Sequence, residues 1–429
     1  MDIGVARVSI LPNKNHKVFS LGGSLLTKYN SDIYCNIFLL NDNDDCIVIV
    51  SIDLIWVDEN LCSKIYCYVE EVLHINRENI LISATHAHST PQISKNIKDK
   101  KQYIIDESYR YKVVENICSA IFSAWNTKQR GYCEIAQSSS NNSINRRKKI
   151  LDISKLKTGF IRKTVANRPN YKGNVDSIMM LLFAYYYPKT PAGLVINYAA
   201  HPVLSRTDVI SSDYPGALSN MIIKRYTKDF VCCFLQGFSG NIKPKVVERS
   251  YLTAMGVISK AYHFLFDREA FKKNISELEV SKYAQLLLDD IDNSRVVNKF
   301  NSLSIYSKKK IIYIHGKGDD LHIQSGKALI IHRIKIIEEF ELFSMNSEVF
   351  SEYSTWLRGI LTKYNIKVMT IGYSGGMCGY LPTNKAIIDG GYEVENAPKL
   401  FDSNSFTLGS VERTIKKNIS SIYVDETFE

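Results

Sequence analysis

The sequence predicts an α/β chain of the mixed α+β kind, with layered mixed β-sheets flanked by helices. Three observations carry that reading. Apolar runs of strand length alternate with helical patterns along the 429 residues. Several neighbouring strands are separated only by short turns, whereas each step of a purely parallel sheet needs a long crossover. Three apolar runs end in polar, turn-forming clusters, so their loops are expected to converge at one end of a sheet.

Along the chain, strands are expected over Ile3 to Leu11, Asp32 to Leu40, Cys46 to Val57, Asn79 to Ala84, Tyr132 to Ala136 and Ser177 to Tyr187. The runs beginning at Ala192 and Phe230 add two more. Helices are expected over Asn60 to Leu73, Glu107 to Lys128, Pro215 to Tyr226 and Val349 to Tyr364. The stretch 246–330 reads as an insertion within one domain spanning 1–429. Its pattern predicts helices over Tyr251 to Phe266 and Ser276 to Asp292, then a strand over Ser302 to His315, with a further strand over Lys327 to Phe343. In the second helix Leu278, Tyr283, Leu286, Leu287 and Ile291 recur at one-face spacing.

Composition bounds the function classes. With 45% hydrophobic and 23% charged residues, the chain can bury a large core. The net charge of +10 gathers in lysine-rich runs such as Lys98 to Lys101, Arg146 to Lys149 and Lys308 to Lys310. No nucleic-acid-binding module accompanies them, so no nucleic-acid partner is expected. No glycine-rich dinucleotide or P-loop pattern follows a strand. No run of about eighteen apolar residues occurs, so no integral membrane segment is expected. The opening Met1-Asp2-Ile3-Gly4-Val5-Ala6-Arg7 is not that of a signal peptide, and nine cysteines follow no CxxC spacing. These features predict a reduced, cytoplasmic protein. Oligomeric state is left open.

The richest stretch is Ile80-Leu81-Ile82-Ser83-Ala84-Thr85-His86-Ala87-His88-Ser89. An apolar strand ends in two histidines one residue apart, and on an extended backbone positions i and i+2 face the same side. Imidazole is a common zinc ligand and titrates near neutral pH. A second strand ends at Asn197-Tyr198-Ala199-Ala200-His201-Pro202, where proline holds the preceding histidine extended. A third breaks into Gln236-Gly237-Phe238-Ser239-Gly240-Asn241-Ile242-Lys243-Pro244. Other readings stay open. Glu348 opens an apparent helix, where it would also complement the dipole. Asp213 suits a helix N-cap, with Pro215 following. Arg146 sits in a basic run that otherwise reads as a solvated loop, and Tyr380 is one of 26 tyrosines.

Together with Asn145-Arg146-Arg147, Asp213-Tyr214-Pro215-Gly216, Glu348, Gly379-Tyr380-Leu381-Pro382-Thr383 and Gly390-Gly391-Tyr392-Glu393, these motifs resemble the catalytic domain of the neutral/alkaline non-lysosomal ceramidases. The likeness runs, in order, from Ile3 to about residue 395. It implies a catalytic zinc held by His86, His201, Glu348 and Tyr380. It also implies that His88 exchanges protons with the reacting centre and that Arg146 polarises the scissile carbonyl or binds a substrate oxygen. Tyr380 would ligate weakly or donate to the tetrahedral intermediate. Asp213, Asn241 and Lys243 are assigned to the substrate. The implied reaction is hydrolysis of an N-acyl amide by activated water.

Three departures from the family matter. Lys243 stands where ceramidases carry a serine, and Asn241 where they carry an aspartate. A serine-based mechanism therefore loses its hydroxyl, while a metal-water mechanism does not. Lys243 either meets a negatively charged substrate or swings into solvent. The family's extra C-terminal domain has no counterpart among the motifs, and the signal-peptide pattern is missing. The leading expectation is a zinc-dependent amidase acting on a small cytoplasmic N-acyl molecule such as an N-acyl sugar. Two others remain: a ceramidase in the strict sense, and a binding protein that kept the fold without the chemistry.

Overall fold

The structure is a computed structural model that describes residues 1–95, 105–152, 162–249, 269–312, 328–401 and 411–424. Its largest sheet starts from β1 (Asp2–Ser9), β2 (Tyr34–Asp42), β3 (Asp45–Ile52) and β4 (Ile80–Ala84). It continues through β5 (Gln129–Ser139), β8 (Ile178–Tyr186), β9 (Thr190–Tyr198) and β10 (Val231–Gln236). The order is β10-β9-β8-β5-β1-β2-β3-β4, with β14 (Arg295–Phe300) also paired to β5. Only the β3/β4 and β9/β10 pairs are parallel, which bears out the mixed character read from the short turns.

The layers follow from strand alternation. In β2, Cys35, Ile37 and Leu39 face a cluster with helices α1 (Glu59–Leu73) and α2 (Glu107–Asn126). Phe38 and Leu40 face the other way, into a core shared with a second sheet. That sheet has the order β15-β16-β17-β19, from β15 (Tyr306–Ile312), β16 (Leu329–Ile337), β17 (Phe340–Met345) and β19 (Lys367–Ile371). Helices α3 (Asp213–Arg225) and α4 (Glu277–Asp292) cover β8 to β10. Outside the smaller sheet lie α5 (Ser351–Leu361) and a C-terminal helix, Val411–Val424. Three short helices, α6 (Asn384–Asp389), α7 (Tyr392–Glu395) and α8 (Ala397–Leu400), precede that last one, α9. Helices, two sheets and helices thus stack in four layers.

Several expectations are corrected. Where it is described, the single strand expected over Lys327 to Phe343 is instead a hairpin, β16 turning at Glu338-Glu339 into β17, because two adjacent glutamates interrupt the apolar alternation. The basic run at Arg146 is not a loop but the interior of β6 (Ser143–Asp152), paired with β7 (Arg162–Asn170) and with β11 (Ile242–Pro244). In α4, Leu278 and Leu286 are exposed, and Val280, Ala284 and Leu288 join Tyr283, Leu287 and Ile291 in the core. Beyond residue 395, where the motifs end, the chain still packs on the core: Val411, Ile415, Ile419 and Ile422 of α9 are buried at helix-face spacing.

The stretch 246–330 is woven into the layers where it is described. There β12 (Val247–Arg249) pairs with β13 (Glu269–Phe271), α4 packs on α3, and β14 extends the large sheet. The helix expected over Tyr251 to Phe266 lies outside the described residues, as does the end of the strand expected to reach His315.

Candidate metal centre

His86 reaches the site from the end of β4. Its backbone is left-handed, at φ 65°, so the two histidines of the HxH do not project from an extended strand as expected. The turn is held instead by backbone bonds, from Thr85 N–H to Ile52 O (2.8 Å) and from His86 N–H to Leu54 O (3.0 Å). The two rings still meet edge-on, at 4.7 Å between centroids. His201 follows β9 and is fixed by its N–H to Ile242 O at 3.2 Å. Counted through the sheet pairings, β4 runs antiparallel to β9 and β10. The loops therefore converge by a different route from the one expected. The turn after β19 links them: Gly372 N–H donates to Gln236 O (2.9 Å) and Gly375 N–H to Ile82 O (2.9 Å).

Glu348 lies one turn ahead of α5, not inside it. It belongs to β18 (Glu348–Val349), which pairs in parallel with β20 (Tyr380–Leu381), Glu348 facing Tyr380 in register. Gly240 allows this approach, because a Cβ there would lie 2.4 Å from the Glu348 carbonyl oxygen.

The donor atoms converge closely. Glu348 Oε2 lies 3.1 Å from His201 Nε2 and 3.5 Å from His86 Nε2. The other ring nitrogen of each histidine faces a carbonyl, His86 Nδ1 to Ile55 O and His201 Nδ1 to Ser239 O, both at 2.8 Å. A carbonyl only accepts, so each Nδ1 carries the proton and each Nε2 turns a lone pair toward the carboxylate. Three acceptors facing one another at such range need a cation between them. Two ligands of one tetrahedral ion at 2.0–2.1 Å sit roughly 3.3–3.4 Å apart, and the observed separations match. The donor set therefore fits a divalent metal. His88 lies beside them: the ring nitrogens of His86, His88 and His201 lie within 4.8 Å of one another.

Protonation agrees. Burial, with Arg146 nearby, takes His201 down to about 3, and burial holds His88 well below its usual range. Burial alone would raise Glu348, but positive charge on His86 and His201 more than offsets it, and once those rings are neutral a cation between them would do the same. Neutral imidazole and carboxylate are the forms that bind metal.

With the geometry in place, comparison with known proteins is informative. The profile described as neutral/alkaline non-lysosomal ceramidase, N-terminal, matches residues 29–253. The chain belongs to this family. Two solved ceramidase structures share its fold. The neutral ceramidase from Pseudomonas aeruginosa aligns with a TM-score of 0.68 at 15% identity, over 91% of this chain and 70% of that one. A ceramidase complexed with C2 gives 0.69 at 14%, over 91% and 71%. No curated protein matches the chain. His86, His88, Arg146, His201, Asp213, Asn241 and Lys243 fall inside the family match, whereas Glu348 and Tyr380 lie beyond it.

In this ceramidase-family chain Arg146 is buried beside the centre. It donates from Nε to Glu393 Oε1 (3.0 Å), and from Nη2 to Gly240 O (2.7 Å) and the Tyr380 hydroxyl (3.0 Å). The β6/β7 register shifts around Arg146, a bulge of the sort that re-aims a side chain near a site. Arg147 also binds Glu393.

The three residues assigned to substrate lie differently. Asn241 has both ends occupied, accepting from Ser351 N–H (2.9 Å) at the start of α5 and donating to Glu352 (2.8 Å). Asp213 is buried, and its oxygens accept from Ser205 N–H (2.7 Å) and Tyr214 N–H (2.6 Å), ordering the loop after His201. Ser212, not Asp213, is the N-cap of α3. Lys243 is half-buried on β11.

Sequence reasoning missed Tyr373. Its ring stacks on His86 at 3.8 Å, and its hydroxyl donates to Glu348 Oε2 at 3.4 Å. Ser239 Oγ lies 3.2 Å from the same hydroxyl. The available signal was its place in the glycine-punctuated turn Gly372 to Gly376. Trp56, stacked 6.1 Å from the His86 ring, carried no signal.

Proposed function

We propose that this chain is a zinc-dependent hydrolase that cleaves an N-acyl amide by activated water. The observation that carries the reading is the pair of Nε2 atoms, on His86 and His201, turned toward Glu348 Oε2. These three residues would hold the ion, with Tyr380 completing the set. Zinc there would polarise the scissile carbonyl and make water a nucleophile near neutral pH. His88 Nε2, 3.2 Å from His86 Nε2, is placed to take a proton from the attacking water and return it to the leaving nitrogen. The Tyr380 hydroxyl accepts from Arg146, which leaves its own proton for the developing oxyanion. Asn241 and Asp213 act on substrate through the backbone segments they order.

The substrate we favour is a small cytoplasmic N-acylated molecule, such as an N-acyl sugar. Among the described residues no helix is long and apolar enough to cross a membrane. The fold shared with neutral ceramidases supports ceramide as a second substrate reading. Metal analysis of the purified chain, joined to a release assay over N-acyl sugars and ceramides, tests both. His86→Ala is expected to lose bound metal and turnover together. A wild-type protein that binds no divalent metal would overturn the proposal.

A further inference from the structure

We propose that the substrate carries a carboxylate or phosphate close to the scissile amide, and that Lys243 Nζ and Arg146 Nη1 receive it. This names a substrate class for the hydrolase reading above and rests on that reading.

Lys243 and Arg146 are diagonal neighbours across β6 and β11. Lys243 pairs with Ile144, two residues before Arg146, and Arg146 N–H donates to Asn241 O (2.9 Å), two residues before Lys243. Like charges placed so are unfavourable unless an anion lies between them. Among the described residues the nearby carboxylates are already engaged, although Glu393 lies close enough to attract Lys243. Glu393 is bound by both Arg146 and Arg147, and Glu352 accepts from Asn241 at 2.8 Å. Among the described residues Lys243 has no hydrogen bond or ion pair; its ammonium only faces the Phe271 ring, 4.9 Å from the centroid. Nor does Arg146 Nη1 have a partner there, its Nε and Nη2 being taken. Burial, then Arg146, lowers Lys243 to about 8, and Glu393 opposes the shift only in part. The anion must sit near the amide rather than at a distant chain end, because the same guanidinium touches Tyr380, the register partner of Glu348. Two oxygens on one carboxylate or phosphate suit a guanidinium edge and an ammonium together.

The test uses the full, metal-loaded chain. Calorimetric titration with inorganic phosphate is expected to show binding to the wild type, weakened about tenfold or more in Lys243→Met and retained in Lys243→Arg. Alongside it, kcat/KM is compared on acyl-matched pairs, an N-acyl glycine with its glycinamide and an N-acyl ethanolamine phosphate with its alcohol. The charged-to-neutral ratio is expected to fall about tenfold or more in Lys243→Met. Equal phosphate binding by wild type and Lys243→Met, or none by wild type, overturns the proposal; so does an unchanged ratio. Phosphate binding lost equally in Lys243→Met and Lys243→Arg, at unchanged melting temperature, also overturns it. Absent metal or absent turnover on every pair would instead count against the hydrolase, with the phosphate arm still deciding the anion site.

Discussion

Glu348 and Tyr380 face each other as register partners in two parallel strands of two residues each, 32 positions apart in the chain numbering. The pairing puts the carboxylate of the candidate metal centre beside a hydroxyl that accepts from Arg146. The two residues to which the proposed mechanism gives metal binding and oxyanion stabilisation therefore share a backbone support.

Replacing Tyr380 with phenylalanine separates its two assigned roles. The expected result is metal content near that of the wild type and turnover reduced on the order of 10²-fold, the usual cost of losing one oxyanion donor. Loss of metal would make Tyr380 a required ligand.

Gly240→Ala is expected to displace Glu348, since the new Cβ would lie 2.4 Å from its carbonyl oxygen. Overpacking of this kind costs about 1–3 kcal/mol. Both the melting temperature and the metal affinity should fall, read by calorimetry and by competition with a chelator.

Glu393 neutralises two buried guanidiniums, those of Arg146 and Arg147. Glu393→Ala leaves both without a carboxylate and is expected to destabilise the fold by about 3–5 kcal/mol. Chemical denaturation checks the figure. Turnover should fall as well, because Arg146 loses the bond that aims it.

The contribution of two buried carboxyls to the pH dependence of stability has a definite sign. Burial raises Asp213 and Asp53 to about 6 each. The folded state therefore holds protons that the unfolded chain has released. Stability present below about pH 4 is lost as pH rises through about 6, on the order of 2–3 kcal/mol per group. His88, His201 and His332, held neutral by burial, act in the opposite sense over the same range, so the fall is read as a difference: the stability of metal-free wild type relative to Asp213→Asn should decline by about 2–3 kcal/mol between pH 4 and 7.5. A slope unchanged in that variant would reject the assignment.

Much of the centre was legible because it sits at strand ends, where a long apolar run announces the strand and a polar cluster announces its stop. His86 and His201 are both of this kind. Glu348 was legible as a residue but not as an element. A strand of two residues has no periodicity, and the helix immediately after it dominates the local pattern. Arg146 looked solvated because five consecutive polar residues hide a strand whose charge is neutralised by Glu393, nearly 250 positions away. Tyr373 acts through a stacked ring and a hydroxyl brought in by a turn, and the glycines at 372, 375 and 376 were the only local trace of it. The layered fold could be read from strand and helix alternation. The packing of α9 could have been found too, since Val411, Ile415, Ile419 and Ile422 already carry the helical spacing in sequence.

The most direct measurement of the central claim is the metal content of wild-type protein beside His86→Ala, His201→Ala and Glu348→Ala, each checked for native melting. The account predicts about one divalent ion per wild-type chain and nearly none in each variant. A full equivalent retained by either His201→Ala or Glu348→Ala would contradict it.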